Sequence, residues 1–363
     1  MNPESQKSNE FGNKVSSLHD DFEVPFQDKN RPEYDVEEGY PNRYKSIGEK
    51  GKKSVIQRIK QFGITEDELV NSGITNLAEI SESDYSMLVR EAVKKQYETL
   101  FASVFGHWSE IPNSQKQLDL IKRVSRFYKD WGFNLVNSQT NKEGLPNMII
   151  ALEGADFIEG IDDVNKLHEM GVGSVILQYG KENRLADQDG LTPLGRQCVK
   201  RMLDLGIIID LAHATPQTRE GIIDIIENEG KGKQLAYTHG STVEDIAQDY
   251  QFASVAEKRG LSDDEVKRII KLGGIIGLGI SRPFFSSIEK IVERIDKLCQ
   301  IDNGPISLGL GTDFGGVPPT WDIGIGSTED IVKIADFLSD RYGYSDSLIR
   351  NILRKNISNW INK

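Results

Sequence analysis

From residue 148 onward, short apolar runs rich in Val, Ile and Leu alternate with amphipathic stretches of helical period. The runs cover 148–152, 174–177, 207–211, 235–238, 274–280 and 306–311. Between and after them lie 164–170, 193–206, 216–228, 263–272, 287–298 and 328–338. Near-continuous apolar strands separated by helices are what a parallel sheet covered by helices requires. Helix entry is marked at Thr192-Pro193 and Thr215-Pro216, where a capping residue precedes a proline at the first helical position. Ser262, ahead of an acidic first turn, marks another start, and Gly171, Gly206 and Gly273 stand where helices should stop.

Two further strands are predicted upstream, over 15–18 and 133–136, which makes eight. Eight is the count of a (β/α)8 TIM-type barrel, which needs about 250 residues. The surplus in this 363-residue chain falls at about 23–117, polar and turn-rich at first and then helical. It predicts a helical insertion between the first two strands, within a single barrel spanning 1–363. Inside it, Gly63-Ile64-Thr65 and Gly73-Ile74-Thr75 each open what reads as a short capped helix.

Composition narrows the function classes. A net charge of -12 opposes general nucleic-acid binding, which wants a basic face. The two cysteines, Cys198 and Cys299, sit in predicted helices and read as core thiols, so neither a disulfide framework nor a thiolate zinc site is expected. No apolar run approaches membrane-spanning length and no secretory leader is visible, so no membrane association and a cytoplasmic location are expected.

In such barrels chemistry gathers at the C-terminal ends of the strands. Those ends carry His19-Asp20-Asp21, Glu153, Gln178-Tyr179, Ala212-His213, His239 and Asp313. Three of only five histidines therefore fall at strand ends. The others do not: His107 stands beside Trp108, and His168, next to Leu167 on a predicted helix, reads as a packing residue. His19 and Asp21 are spaced so that an extended segment points both to one side. His213 and His239 are imidazoles suited to zinc, and Glu153 is a carboxylate able to bridge two ions. Any one of these alone reads as a hydrogen-bonded core residue or a helix cap. Together they form two half-sites joined by one carboxylate.

The ordered set resembles the membrane (renal) dipeptidase family of zinc peptidases, within the amidohydrolase-like barrels. The stretches that carry the resemblance are His19-Asp20-Asp21, Leu152-Glu153-Gly154 and Gly190-Leu191-Thr192-Pro193-Leu194-Gly195. They continue with Ile209-Asp210-Leu211-Ala212-His213, Thr238-His239-Gly240-Ser241, Arg259-Gly260-Leu261-Ser262-Asp263-Asp264 and Gly309-Leu310-Gly311-Thr312-Asp313-Phe314. The resemblance implies two zinc ions per chain, His19 and Asp21 on the first, His213 and His239 on the second, and Glu153 bridging them. It further implies hydrolysis of a dipeptide or similar small amide by a hydroxide held between the ions. Arg259 would then clamp the substrate carboxylate, Asp313 would act as acid and base, and the chain would form a homodimer.

The chain departs from the family pattern in three places. Tyr179 stands where the family has a substrate-facing histidine, and is the candidate donor to the oxyanion in its place. Gly315 replaces the second Asp of Asp-Phe-Asp-Gly, and the interval from His239 to Arg259 is longer than expected. Two alternatives stay open: a different amidohydrolase reaction, such as lactone or cyclic-amide opening, and a catalytically silent metal-binding relative. His-x-Asp at the first motif and Glu153 at the bridge favour the dipeptidase branch, because several relatives on this barrel begin His-x-His and bridge their metals with a carboxylated lysine.

Overall fold

The computed structural model describes residues 15–20 (backbone only), 61–65, 67, 69, 82–105, 114–130, 133–136, 145–179, 182–247, 258–281, 284–314 and 323–362. In chain order the first elements are β1 (Val15–Asp20), α1 (Glu82–Gln96), β2 (Tyr97–Phe105), α2 (Ser114–Asp130), β3 (Asn134–Leu135) and β4 (Asn147–Glu153). Next come α3 (Ile161–Met170), β5 (Val172–Ile176), β6 (Ala186–Asp187), β7 (Gly190–Leu191), α4 (Pro193–Asp204) and β8 (Ile208–Asp210). They are followed by α5 (Pro216–Glu229), β9 (Leu235–Gly240), α6 (Val243–Ala247), α7 (Asp263–Leu272) and β10 (Ile275–Gly279). The last are α8 (Ile288–Cys299), β11 (Leu308–Gly311), α9 (Ile331–Tyr342), α10 (Asp346–Arg350) and α11 (Asn356–Ile361).

Eight of these strands pair in parallel, in the order β1, β2, β4, β5, β8, β9, β10, β11, and β11 returns to β1. The sheet thereby closes into the expected barrel. Helix boundaries follow the local signals. Thr192 and Thr215 each accept a hydrogen bond from the backbone N–H three residues on and are followed by proline. Ser262 and Glu265 form a reciprocal capping box. Gly171 and Gly273 close α3 and α7 with φ of 88° and 79°.

The second barrel strand differs from the expectation. It is β2, paired with β4 over seven successive residues from Thr99↔Asn147 to Phe105↔Glu153. The predicted strand at 133–136 contributes only β3, two residues set beside the start of β4 outside the ring. The interval between the first two barrel strands therefore ends at Gln96, inside the predicted 23–117 segment. The reason is local: α1 runs directly into β2 without a Gly or Pro between Gln96 and Tyr97, so no turn signal separates the two periods. The predicted helix opened by Gly73 lies outside the described residues.

Side chains alternate across each strand. Met148, Ile150 and Leu152 join the apolar layer under the helices, whereas Ile149 and Ala151 join a separate cluster with Phe101, Ile208, Ala236 and Ile275 inside the ring. Ile357 and Trp360 of α11 complete that inner cluster. The Trp360 indole donates to Gly273 O (2.9 Å) and Asn356 Nδ2 donates to Leu308 O (2.8 Å), so α11 plugs the N-terminal end. Cys198 is buried and Cys299 half-buried, and both are free. His168, expected to pack, is instead exposed in the last turn of α3.

Replacing Trp360 with Ala should open a cavity in the inner cluster and lower stability by about 3–5 kcal/mol, measured by denaturant unfolding.

Candidate metal centre

The alternation that puts Ile149 and Ala151 inside the ring also points Glu153 inward, at the last position of β4. Phe101 precedes Ser103 in the same way, Ile208 precedes Asp210, and Ala236 precedes Thr238. An apolar layer is thus capped by a polar one at the C-terminal mouth. All four polar residues are buried, and buried polar groups need partners.

They have them. Ser103 Oγ donates to Glu153 Oε2 (3.2 Å). Asp210 Oδ1 accepts from the backbone N–H of Ala212 (3.0 Å) and of Thr238 (3.1 Å), and Oδ2 accepts from the Thr238 hydroxyl. With that proton committed to Asp210, the Thr238 oxygen accepts from His239 Nδ1 at 3.0 Å. His239 then carries its proton on Nδ1 and turns a lone pair outward on Nε2.

His239 owes its direction to a bulge. Tyr237 pairs with Ile276 and Gly240 with Leu278, so two residues of β9 oppose one of β10 and the imidazole is re-aimed. Gly311 in β11 permits the close approach: a Cβ there would lie 1.9 Å from Thr238 O and 2.9 Å from His239 Cα. His213, three residues beyond β8, takes a left-handed backbone with φ of 63°. Among the described residues only two other non-glycine positions have positive φ, Asn303 and Asp313. Two of three such positions are predicted site residues, and strained backbone concentrates at functional sites.

The ligand atoms of Glu153, His213 and His239 all lie within 4.8 Å of one another. His213 Nε2 is 2.7 Å from His239 Nε2 and 3.0 Å from Glu153 Oε1, and His239 Nε2 is 3.8 Å from that oxygen. Two imidazole nitrogens and a carboxylate oxygen converging in a buried mouth are a donor set that zinc and similar divalent ions accept.

The remaining predicted site residues fall as follows. Tyr179, 38% exposed after β5, stacks on His213 with ring centroids 4.3 Å apart. Arg259 Nη2 lies 3.0 Å from His213 Nδ1. Asp313 follows β11 with φ of 55° and is half-buried. His19 lies in β1, described by its backbone alone, and Asp21, His107 and Gly315 lie outside the described residues. Sequence reasoning missed Ser103, Asp210 and Thr238. Asp210 could have been found, since a carboxylate within the run Ile207-Ile208-Ile209-Asp210-Leu211 demands buried partners.

A closed parallel ring with carboxylate and imidazole groups gathered at its C-terminal mouth defines a (β/α)8 barrel with a candidate metal site. The membrane dipeptidase (peptidase family M19) model matches residues 67–362, and the chain belongs to that family. A Schizosaccharomyces pombe protein described as an uncharacterized dipeptidase is 24% identical over 274 residues, covering 69% of this chain and 62% of that protein. The dipeptidase tcpJ of Claviceps purpurea is 23% identical over 275 residues, covering 69% and 60%. The chain thus spans about three fifths of the length of the curated relatives it matches. The fold is that of a Rhodobacter sphaeroides metallopeptidase liganded with a phosphinate mimic of the dipeptide L-Ala-D-Ala. That match has a TM-score of 0.63 at 15% identity and covers 96% of this chain and 98% of the other.

Removing the Asp210 carboxylate (Asp210→Asn) or the Thr238 hydroxyl (Thr238→Val) should weaken divalent-metal affinity about 10- to 100-fold, measured by competition with a chelating dye.

Proposed function

We propose that this chain is a zinc-dependent dipeptidase that cleaves the amide bond of a dipeptide or a similar small amide. The convergence of Glu153, His213 and His239 at the barrel mouth carries the proposal, and membership of the dipeptidase family supports it. Two bound zinc ions would be held by Glu153, His213 and His239 together with His19 and Asp21, the ligand set that the family resemblance implies. Because β1 runs parallel to β2 and β11, its C-terminal end belongs to the same mouth. Zinc ions there, when bound, supply an acidified water as nucleophile and positive charge opposite the carbonyl oxygen.

The chain's own groups orient the substrate and move its protons. The planar Arg259 guanidinium receives the terminal carboxylate through two parallel hydrogen bonds. Tyr179, stacked on His213 and reaching solvent, donates a hydrogen bond to the carbonyl oxygen as negative charge develops on it. Asp313 takes the proton released by the nucleophile and returns it to the leaving amine. The Rhodobacter protein holds a dipeptide mimic, and a dipeptide is the substrate class proposed here.

The test is turnover of a dipeptide panel together with metal content. His213→Ala should lose bound metal and lower kcat/KM by about a thousandfold or more, as loss of metal-borne charge stabilisation predicts. Full activity in that variant, or bound metal with no turnover of any dipeptide, would overturn the proposal. Amidating the substrate's C-terminus should raise KM about 10- to 100-fold through loss of a charge-assisted pair with Arg259; an unchanged KM would remove Arg259 from the site.

A further inference from the structure

Arg219, on the first turns of α5, is the largest fully buried side chain among the described residues. A guanidinium taken out of water must have its donors met. Nε and Nη2 bind the two oxygens of Glu265 at 2.5 and 3.2 Å, and Glu265 is the carboxylate of the α7 capping box. The other donors go to backbone carbonyls: Nη1 to Ala214 O (2.9 Å) and Lys258 O (3.0 Å), Nη2 to Gly260 O (2.9 Å).

Those carbonyls are not scattered. Ala214 follows His213, and Lys258 and Gly260 flank Arg259. The carbonyl between them, Arg259 O, accepts from the Tyr237 hydroxyl at 2.8 Å, and Tyr237 lies two residues before His239 on β9. Three successive carbonyls are therefore held by two buried side chains. The Tyr237 phenol is itself buried, so water does not compete for this hydrogen bond. Gly240 leaves room for this phenol, since a Cβ there would lie 2.1 Å from its oxygen. The segment is pinned beyond Arg259 as well: a Cβ on Gly260 would meet Val243 N at 2.4 Å, and Leu261 N donates to Ser241 O at 3.0 Å.

We infer that Arg219 and Tyr237 are positioning residues, which fix the backbone of Arg259 so that its guanidinium stands beside His213 and is pre-set for the substrate carboxylate. The inference rests on the carboxylate role given to Arg259 above. A side chain as long as arginine gives up much rotational freedom on binding, and an anchored root reduces what is left to lose. Neither residue touches the substrate. Their effect belongs to KM for carboxylate-bearing substrates, not to kcat.

The primary test is Tyr237→Phe, which removes one hydroxyl and leaves the packing. Losing that hydrogen bond should raise KM for a free-carboxylate dipeptide about 3- to 10-fold, with kcat within about twofold and kcat/KM for the amidated dipeptide unchanged. In an Arg259→Ala background the same change should have no further effect on KM. Independently of turnover, limited trypsin digestion followed by mass spectrometry should cut after Lys258 and Arg259 several-fold faster in Tyr237→Phe than in the parent protein. Arg219→Lys, which keeps the charge but not the planar fork, should show the same pattern more strongly if it folds. If Arg259→Ala abolishes the preference for a free carboxylate while Tyr237→Phe changes neither KM nor cleavage, the positioning role is wrong and the function stands. If Arg259→Ala leaves that preference intact, the carboxylate reading fails and the inference falls with it.

Discussion

Closure of the sheet through β2 is the constraint on which the rest of this structure depends. Because β2 pairs in parallel with β1 on one side and β4 on the other, the eight strands form a ring with all their C-terminal ends at one mouth. Inward positions on separate strands then come within hydrogen-bonding range across the mouth, as Ser103 on β2 does with Glu153 on β4. A parallel ring needs both faces covered. Here the helices supply the outer cover, and Trp360 with Ile357 seals the inner one at the opposite end.

Above the inner apolar cluster the polar layer is costly, and its arrangement follows from that cost. Buried carboxylates are tolerated only when their lone pairs are met. Asp210 meets its own with two backbone amides and the Thr238 hydroxyl, and in doing so orients His239. Groups that satisfy one another in the floor therefore aim the groups that face the mouth. His213 and Asp313 are reached by turns in the left-handed conformation, a strain held by the strands beneath them.

The wall beside this floor is organised by the same means. Arg219 gathers the turn after His213 and the segment around Arg259 onto one guanidinium, itself neutralised by Glu265. The α7 capping box is thus part of the mouth as well as a helix start. Tyr179 stacks on His213, and the Arg259 guanidinium contacts the same imidazole.

Much of this was legible in the residue order. Alternating apolar runs and capped helices set the parallel class and most element boundaries, because hydrophobic period, proline and glycine act within a few residues. Histidines and carboxylates at strand ends marked Glu153, His213 and His239, since parallel strands send those ends to one place. Other features could not be read locally. Tyr97–Phe105, which the sequence placed inside the helical segment, replaces residues 133–136 as the second strand because it pairs with β4 over seven residues against two. Thr238 and Arg219 look like ordinary strand or helix residues in the chain, and Asp210 stands out only as a carboxylate in an apolar run; all three acquire their partners from neighbours distant in sequence. Local backbone preference and solvent exclusion determine which segments form and which faces they bury; the meeting of side chains from separate segments is decided by the closed ring alone.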